Sequence, residues 1–377
     1  MINVERLSRF FLELAHIESP SRREGKVAAY LQEKFEALGA RCVFDDSAPR
    51  TGSEVGNLIV KYPANSRPLL FMAAHMDTVE PTKNPRICLE NGVFRSDGRT
   101  ICGADDKSAL AIFLEILHVL QERKLPVPLE FVITTCEEIG LLGAKHLDYR
   151  LVEAPFGYAL DSEDPGEIIN RAPEAIRFHI KVVGLAAHAG LNPEAGINAI
   201  TLAGKALSRV KLGRLDHETT ANIGLIRGGT ATNIVPEEVE LWGEVRSHSH
   251  EKLEEAWTNL RSTFEMVIQE ERKPGRERPE VHFSREQDYP LMQVPEDHEV
   301  VKLALRAASR LGFSVRLTAT GGGSDANIFN GQGLPCVILG TGMRRVHSTE
   351  EYLPLKDLVQ ACKLSLQIVL EAGHGAK

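Results

Sequence analysis

From residue 57 to residue 161 the chain repeats one pattern: a short β-rich apolar run, a helical or irregular connection, then another apolar run. Residues 57–62, 68–75, 129–134 and 157–161 read as strands, and residues 106–121 as a strongly apolar helix. Two amphipathic helices, 4–17 and 22–38, precede them. Strands that alternate with helices favour a mostly parallel sheet covered by helices, because parallel neighbours need long crossover connections. The expected fold class is therefore α/β.

The middle of the chain breaks this rhythm. Residues 175–183 alternate with period two, 197–209 form a helical pattern, 220–228 and 238–247 are strand-like, 251–271 form one long amphipathic helix, and 280–283 close as a strand. The order β-α-β-β-α-β is that of a ferredoxin-like sandwich. The α/β pattern returns near Val300. A chain of 377 residues exceeds one compact core. The expected arrangement is an α/β domain in two parts, residues 1–172 and 285–377, with a lid or dimerisation domain inserted at 173–284. The mixed-sign stretch 271–278 reads as a solvated connection.

Hydrophobic content of 43% and charged content of 25% suit a globular protein, and a net charge of −8 with no basic block argues against nucleic-acid binding. No run approaches the length of a membrane span, and the first residues are interrupted by charges, unlike a signal peptide. The six cysteines form no CxxC pair and suit reduced thiols, so a cytoplasmic location is expected.

Five segments place acids or imidazoles at strand ends or loops. In Ala73-Ala-His75-Met-Asp77, residues i and i+2 point the same way, so Asp77 can steady the His75 ring. Gly103-Ala-Asp105-Asp106 precedes a helix; a helix cap explains one aspartate but not two. Glu137 and Glu138 follow a buried strand, where a first helical turn over 139–146 or a bound dication could accommodate them. Asp161 closes an apolar strand, the end at which α/β sheets bind ligands. His347 stands just ahead of the terminal helix, which Ser348 or Thr349 is expected to cap. Together these groups make a mixed nitrogen and oxygen set suited to zinc, manganese or cobalt. If one carboxylate bridges, two ions can share the set, polarise a carbonyl and activate a water. One glutamate of the pair can then ligate while the other accepts a proton.

The ordered motifs HMDT, GADDK, EEIG, LDSED and VHSTEE resemble the dizinc exopeptidases that include peptidase T, carboxypeptidase G and succinyl-diaminopimelate desuccinylase, and within them the peptidase T-like tripeptide aminopeptidases most. The likeness spans nearly the whole chain. It implies that His75 and Asp161 bind one metal, Glu138 and His347 the other, and Asp105 both, with a cis peptide after Asp105. It also implies that Asp77 orients His75 and that Glu137 is the general base on a metal-bridging water. In the inserted domain, His188 resembles an oxyanion-stabilising histidine, Asn233 a substrate-contacting asparagine, and Arg246 could hold a peptide carboxylate. The glycine run containing Gly322 and Gly323 lacks a phosphate-loop lysine; the resemblance places it along the substrate cleft. Short peptides are the expected substrates, and a homodimer through the lid is left open. Cys136 stands where peptidase T has an acid, and the chain is shorter, so the alternatives stay in view: an N-acyl amino acid amidohydrolase, a carboxypeptidase, or a metal-dependent peptide-binding protein without turnover.

Overall fold

The structure is a computed structural model that describes residues 2–272 and 277–375. Residues 273–276 of the mixed-sign stretch 271–278 lie outside the described residues. The chain divides into two compact units. One comprises Met1–Arg171, Met292–Thr320 and Ser324–Lys377; the other comprises Ala172–Leu291 and Gly321–Gly323.

The first unit is built on a nine-stranded sheet. Its centre is a run of four adjacent parallel strands in the order Leu129–Thr134, Leu70–His75, Gly157–Ser162 and Cys336–Gly340. Leu70–His75, Leu129–Thr134 and Cys336–Gly340 are buried along their whole length, as strands covered on both faces must be. Antiparallel strands Leu58–Tyr62 and Arg41–Phe44 extend one side, and Glu167–Ala172 pairs antiparallel with Cys336–Gly340 on the other.

The helix Ala104–Glu122 buries nearly every residue of its first four turns. The first helix, Val4–Ala15, packs Leu7, Phe10, Phe11 and Leu14 inward and is capped by the Asn3 side chain. Arg6 anchors it by a 2.6 Å bond from Nε to the fully buried Glu115.

Three local expectations need correction. Neither Asp105 nor Asp106 caps its helix: Gly103 holds that position, and both aspartates have non-helical backbone angles. The peptide between them is cis. The pattern over 139–146 yields only the short helix Leu142–Lys145, because Gly140 and Leu141 turn through the left-handed region. The terminal helix begins at Leu355, so Ser348 and Thr349 cannot cap it. A strand, Tyr352–Pro354, intervenes and pairs with Val93–Ser96. The Ser348 hydroxyl instead donates to the Arg345 carbonyl and accepts from Glu350 N–H, closing a local turn.

The second unit is an antiparallel sheet in the order Gly213–Arg214, Thr219–Gly228, Glu238–Ser247, Glu174–Val183, Glu280–Tyr289. The helices Ala199–Leu207 and His250–Glu271 share its core with Phe178, Ile180, Leu241 and Val245. Apart from the short Gly213–Arg214 strand, this is the ferredoxin-like order. Its last strand continues to Tyr289, beyond the apolar alternation that ends at Phe283.

Candidate metal and catalytic site

Four parallel strands present their C-terminal ends along one edge of the sheet, and the chemistry-bearing residues follow from that edge. His75 ends Leu70–His75, Glu137 and Glu138 follow Leu129–Thr134, Asp161 lies near the end of Gly157–Ser162, and the loop after Cys336–Gly340 carries His347. This is the edge at which parallel sheets bind ligands.

Asp105 occupies the centre. Its Oδ1 lies 3.0 Å from His75 Nε2, and its Oδ2 lies 3.4 Å from His347 Nε2. Glu138 Oε2 is 2.9 Å from the same His347 nitrogen. Two groups thus share one carboxylate: His75, Asp105 and Asp161, and Asp105, Glu138 and His347. Within each, one ligand-capable atom per residue lies within 4.8 Å of the others. The His75 ring bonds through Nδ1 to the Asp77 carbonyl at 2.9 Å, which turns Nε2 toward Asp105 as the ligand-capable nitrogen.

The site fits divalent cations on its own chemistry. Imidazole and carboxylate donors are a zinc, manganese or cobalt set. Glu138 Oε1 is buried and has no hydrogen-bond partner. Burial, reinforced by nearby carboxylates, raises the Glu137 and Asp161 carboxyls well above their ordinary range and raises Glu138 as well. Burial acts the same way on Asp105, but hydrogen bonds from His347 and His75 outweigh it and hold that carboxyl low. The same carboxylates push His347 up to about 10. A cluster of acids that resists full ionisation without added positive charge is what a cation pair would relieve.

The Asp77 carboxylate has partners beyond the His75 ring. Oδ1 accepts the Glu137 N–H at 2.9 Å, and Oδ2 accepts the Glu138 N–H at 3.2 Å and the Ser21 hydroxyl at 2.6 Å. It stands 3.5 Å from the His75 ring but is bonded to the backbone that carries the glutamate pair. Glu138 turns to His347, whereas Glu137 is half-buried beside the cluster.

Sequence reasoning passed over two buried acids, Glu24 and Asp325, and gave a third, Asp106, no partner. Glu24 accepts the Cys136 N–H at 3.0 Å and so fixes the left-handed turn before Glu137. Asp106 accepts the His75 N–H at 3.3 Å. Asp325 accepts from the Thr134 hydroxyl, and burial pushes its carboxyl up to about 6. Asp325 lies in the glycine run, where the glycines drew attention and the acid did not. Glu24 follows two arginines and carries no local signal.

In the inserted unit, the segments carrying His188 and Asn233 pair: the Ala189 N–H donates to the Asn233 carbonyl at 2.9 Å. Both side chains are exposed, and His188 Nδ1 accepts from Gly190 and Leu191 N–H at 3.1 Å each. The Arg246 guanidinium bonds Glu244 at 2.9 Å and lies over the Tyr289 ring. Gly323 packs flat on that ring, since a Cβ there would come within 2.4 Å of it. Gly322 belongs to the same glycine run.

Residues 71–371 match the peptidase family M20/M25/M40. The chain is 40% identical over 375 residues to the uncharacterized protein YqjE of Bacillus subtilis (strain 168), covering 99% of this chain and 100% of the relative. It superposes on a tripeptidase from Staphylococcus aureus subsp. aureus mu50 with a TM-score of 0.93 at 40% identity, covering 99% and 100% of the two chains. An aminopeptidase PepT from Bacillus cereus ATCC 10987 gives 0.89 at 39% identity, with 100% of both chains covered. These matches span the strand ends that carry the acid and imidazole cluster, and the chain belongs to peptidase family M20/M25/M40 as a peptidase T-like metallopeptidase.

Proposed function

We propose that the chain is an aminopeptidase that cleaves tripeptides with two divalent ions, zinc in the first instance and manganese or cobalt as substitutes. The observation that carries this reading is the Asp105 carboxylate, which faces one imidazole with each oxygen while each imidazole has a further acid in its group. His75 and Asp161 would hold one ion, Glu138 and His347 the other, and Asp105 both. Such a pair supplies Lewis-acid polarisation of the scissile carbonyl and acidifies water.

The remaining work belongs to the chain. Glu137 takes a proton from the attacking water and delivers it to the leaving amine nitrogen as the C–N bond breaks. A carboxyl raised by burial is suited to both halves of that transfer. Asp77 fixes the Glu137 backbone through its N–H, so the base has a defined position from which to act. We assign substrate contacts to His188, Asn233, Arg246, Gly322 and Gly323 of the inserted unit. The paired segments bearing His188 and Asn233, with both side chains exposed, support that assignment.

The six free cysteines support a reducing, cytoplasmic setting. Among the described residues, no helix is long and apolar enough to cross a membrane. The strand Thr219–Gly228 pairs with Gly213–Arg214 only through Ala221 and Thr220, and Leu225 and Ile226 beyond them are exposed. This edge supports self-association through the inserted unit.

The test is hydrolysis of a free tripeptide, the same peptide with a blocked N-terminus, and an N-acyl amino acid, alongside metal content per chain. Cleavage of the free tripeptide alone, with two ions per chain, is expected. Turnover of only the N-acyl amino acid would move the chain to the deacylases. Release of C-terminal residues would make it a carboxypeptidase.

A further inference from the structure

Glu351 is 2% exposed and lies four residues beyond His347. Its carboxylate accepts two backbone N–H groups from the start of the helix Ala104–Glu122, Gly103 at 2.7 Å on Oε2 and Asp105 at 2.9 Å on Oε1. The sequence separation is 248 and 246 residues. The first N–H groups of a helix need partners from outside it. A local side chain commonly supplies them, yet here Gly103 has none to offer, and the Asp105 side chain faces the two imidazoles.

The other end of this connection is equally fixed. Arg344 and Tyr352 exchange backbone hydrogen bonds of 3.0 and 3.1 Å, closing a loop with His347 within it and Glu351 at its base. The Glu351 N–H donates to the Ser348 carbonyl at 3.1 Å. His347 itself has a left-handed backbone, φ 61°, and a side chain that is 56% exposed, so few contacts of its own position it. The following strand, Tyr352–Pro354, is anchored by the fully buried Leu353.

We propose that Glu351 is a positioning residue that sets the shared carboxylate of Asp105 and the imidazole of His347 in register, so that both can hold one cation. This inference rests on the two-ion reading above. The carboxylate reaches Asp105 through its main chain and His347 through the loop that both residues share. Groups that orient metal ligands from behind typically change metal affinity or activity by about 10- to 100-fold when altered. Glu351→Gln replaces one of two accepting oxygens with an NH2 group, so one of the two N–H groups loses its partner. The group of Asp105, Glu138 and His347 is then disturbed at two members, and that of His75, Asp105 and Asp161 at one.

The experiment is a titration of metal-stripped protein with Zn2+ against a chromophoric chelator, repeated with Co2+ and read by visible absorption, at a temperature where each variant is folded. Glu130→Gln is the matched control. Glu130 is also fully buried and accepts two backbone N–H groups, from Glu153 and Ala154 at 3.1 Å each, but it lies at the start of its strand. We expect wild type to bind two ions. In Glu351→Gln the weaker binding step should fall about 10- to 100-fold and the stronger by less, with an altered Co2+ spectrum. Excess metal should restore much of the lost turnover. The control should lose stability while both binding steps remain within threefold of wild type.

Binding steps and spectrum unchanged in a folded Glu351→Gln chain would overturn the proposal and leave the two-ion reading standing. Wild type that binds no ions would overturn both. If Glu351→Gln does not fold, Glu351→Asp carries the same titration. Failure of both to fold while Glu130→Gln folds would overturn the proposal by making the carboxylate a requirement of folding.

Discussion

The Asp77 clamp gives the most informative single perturbation. Its carboxylate accepts the Glu137 N–H on one oxygen and the Glu138 N–H and Ser21 hydroxyl on the other. In Asp77→Asn the amide has one oxygen. Turned one way, it keeps Glu137 and presents its NH2 to Glu138; turned the other way, it keeps Glu138 and Ser21 and loses Glu137. Either way one N–H of the glutamate pair is unpaired, and the bond that remains has lost its charge. Hydrogen bonds to a charged group contribute about 1.5–3 kcal/mol. If that sum is felt in the transition state, kcat/KM on a free tripeptide falls by roughly 10- to 150-fold. The bond from the His75 ring to the Asp77 carbonyl is untouched, so His75 should keep its orientation and, on the two-ion reading, the ion it would hold with Asp161 should stay bound. Ser21→Ala leaves both backbone bonds in place and should cost less than Asp77→Asn. The assay is steady-state hydrolysis with metal content measured on the same samples. An Asp77→Asn chain within twofold of wild type would refute the claim that this carboxylate positions the glutamate pair. Loss of the His75 ion would show that the side chain acts on the imidazole instead.

Three further outcomes are expected. Glu137→Gln should bind wild-type metal yet lose about 100- to 10,000-fold in kcat, the range of one proton-transfer group; retained turnover would remove Glu137 as the base. In metal-stripped protein, Glu137, Glu138 and Asp161 have carboxyls raised above their unfolded values, first by burial, and His347 is raised to about 10. A raised group favours folding fully below its unfolded pKa and loses that contribution as pH rises through the folded one, so Tm should fall from about pH 5 to about pH 9 and added Zn2+ should flatten the slope; a rising Tm would contradict this. Phe131→Ala opens a cavity in a fully buried ring cluster, 4.6 Å from Phe113 and 5.4 Å from Phe35, and should cost about 3–5 kcal/mol in urea unfolding; a loss below about 1 kcal/mol would mean the site collapses.

The alternation of apolar runs and helices was enough to read the α/β class, because parallel strands and their crossovers leave a periodicity that local residues carry by themselves. The strand Leu129–Thr134 and the strand Glu238–Ser247 coincide with their apolar patterns to the residue. Acids and imidazoles at strand ends stood out for the same reason: an ionisable group closing a buried run is anomalous wherever the chain goes next. Caps and turns were less legible. One of Asp105 and Asp106 looks like a cap in sequence, but both leave the helical backbone, the first facing two imidazoles and the second accepting from His75 N–H.

What the sequence determined alone is the set of chemical groups and the two kinds of sheet that carry them. What only the tertiary structure decided is which groups meet: that Asp105 stands between His75 and His347, that Asp77 holds the glutamate backbone, and that Glu351 reaches the start of a helix 246 residues away. Local periodicity reports the forces within a few residues. A hydrogen bond between distant segments depends on strand order and loop path, and these are settled only when the whole core packs.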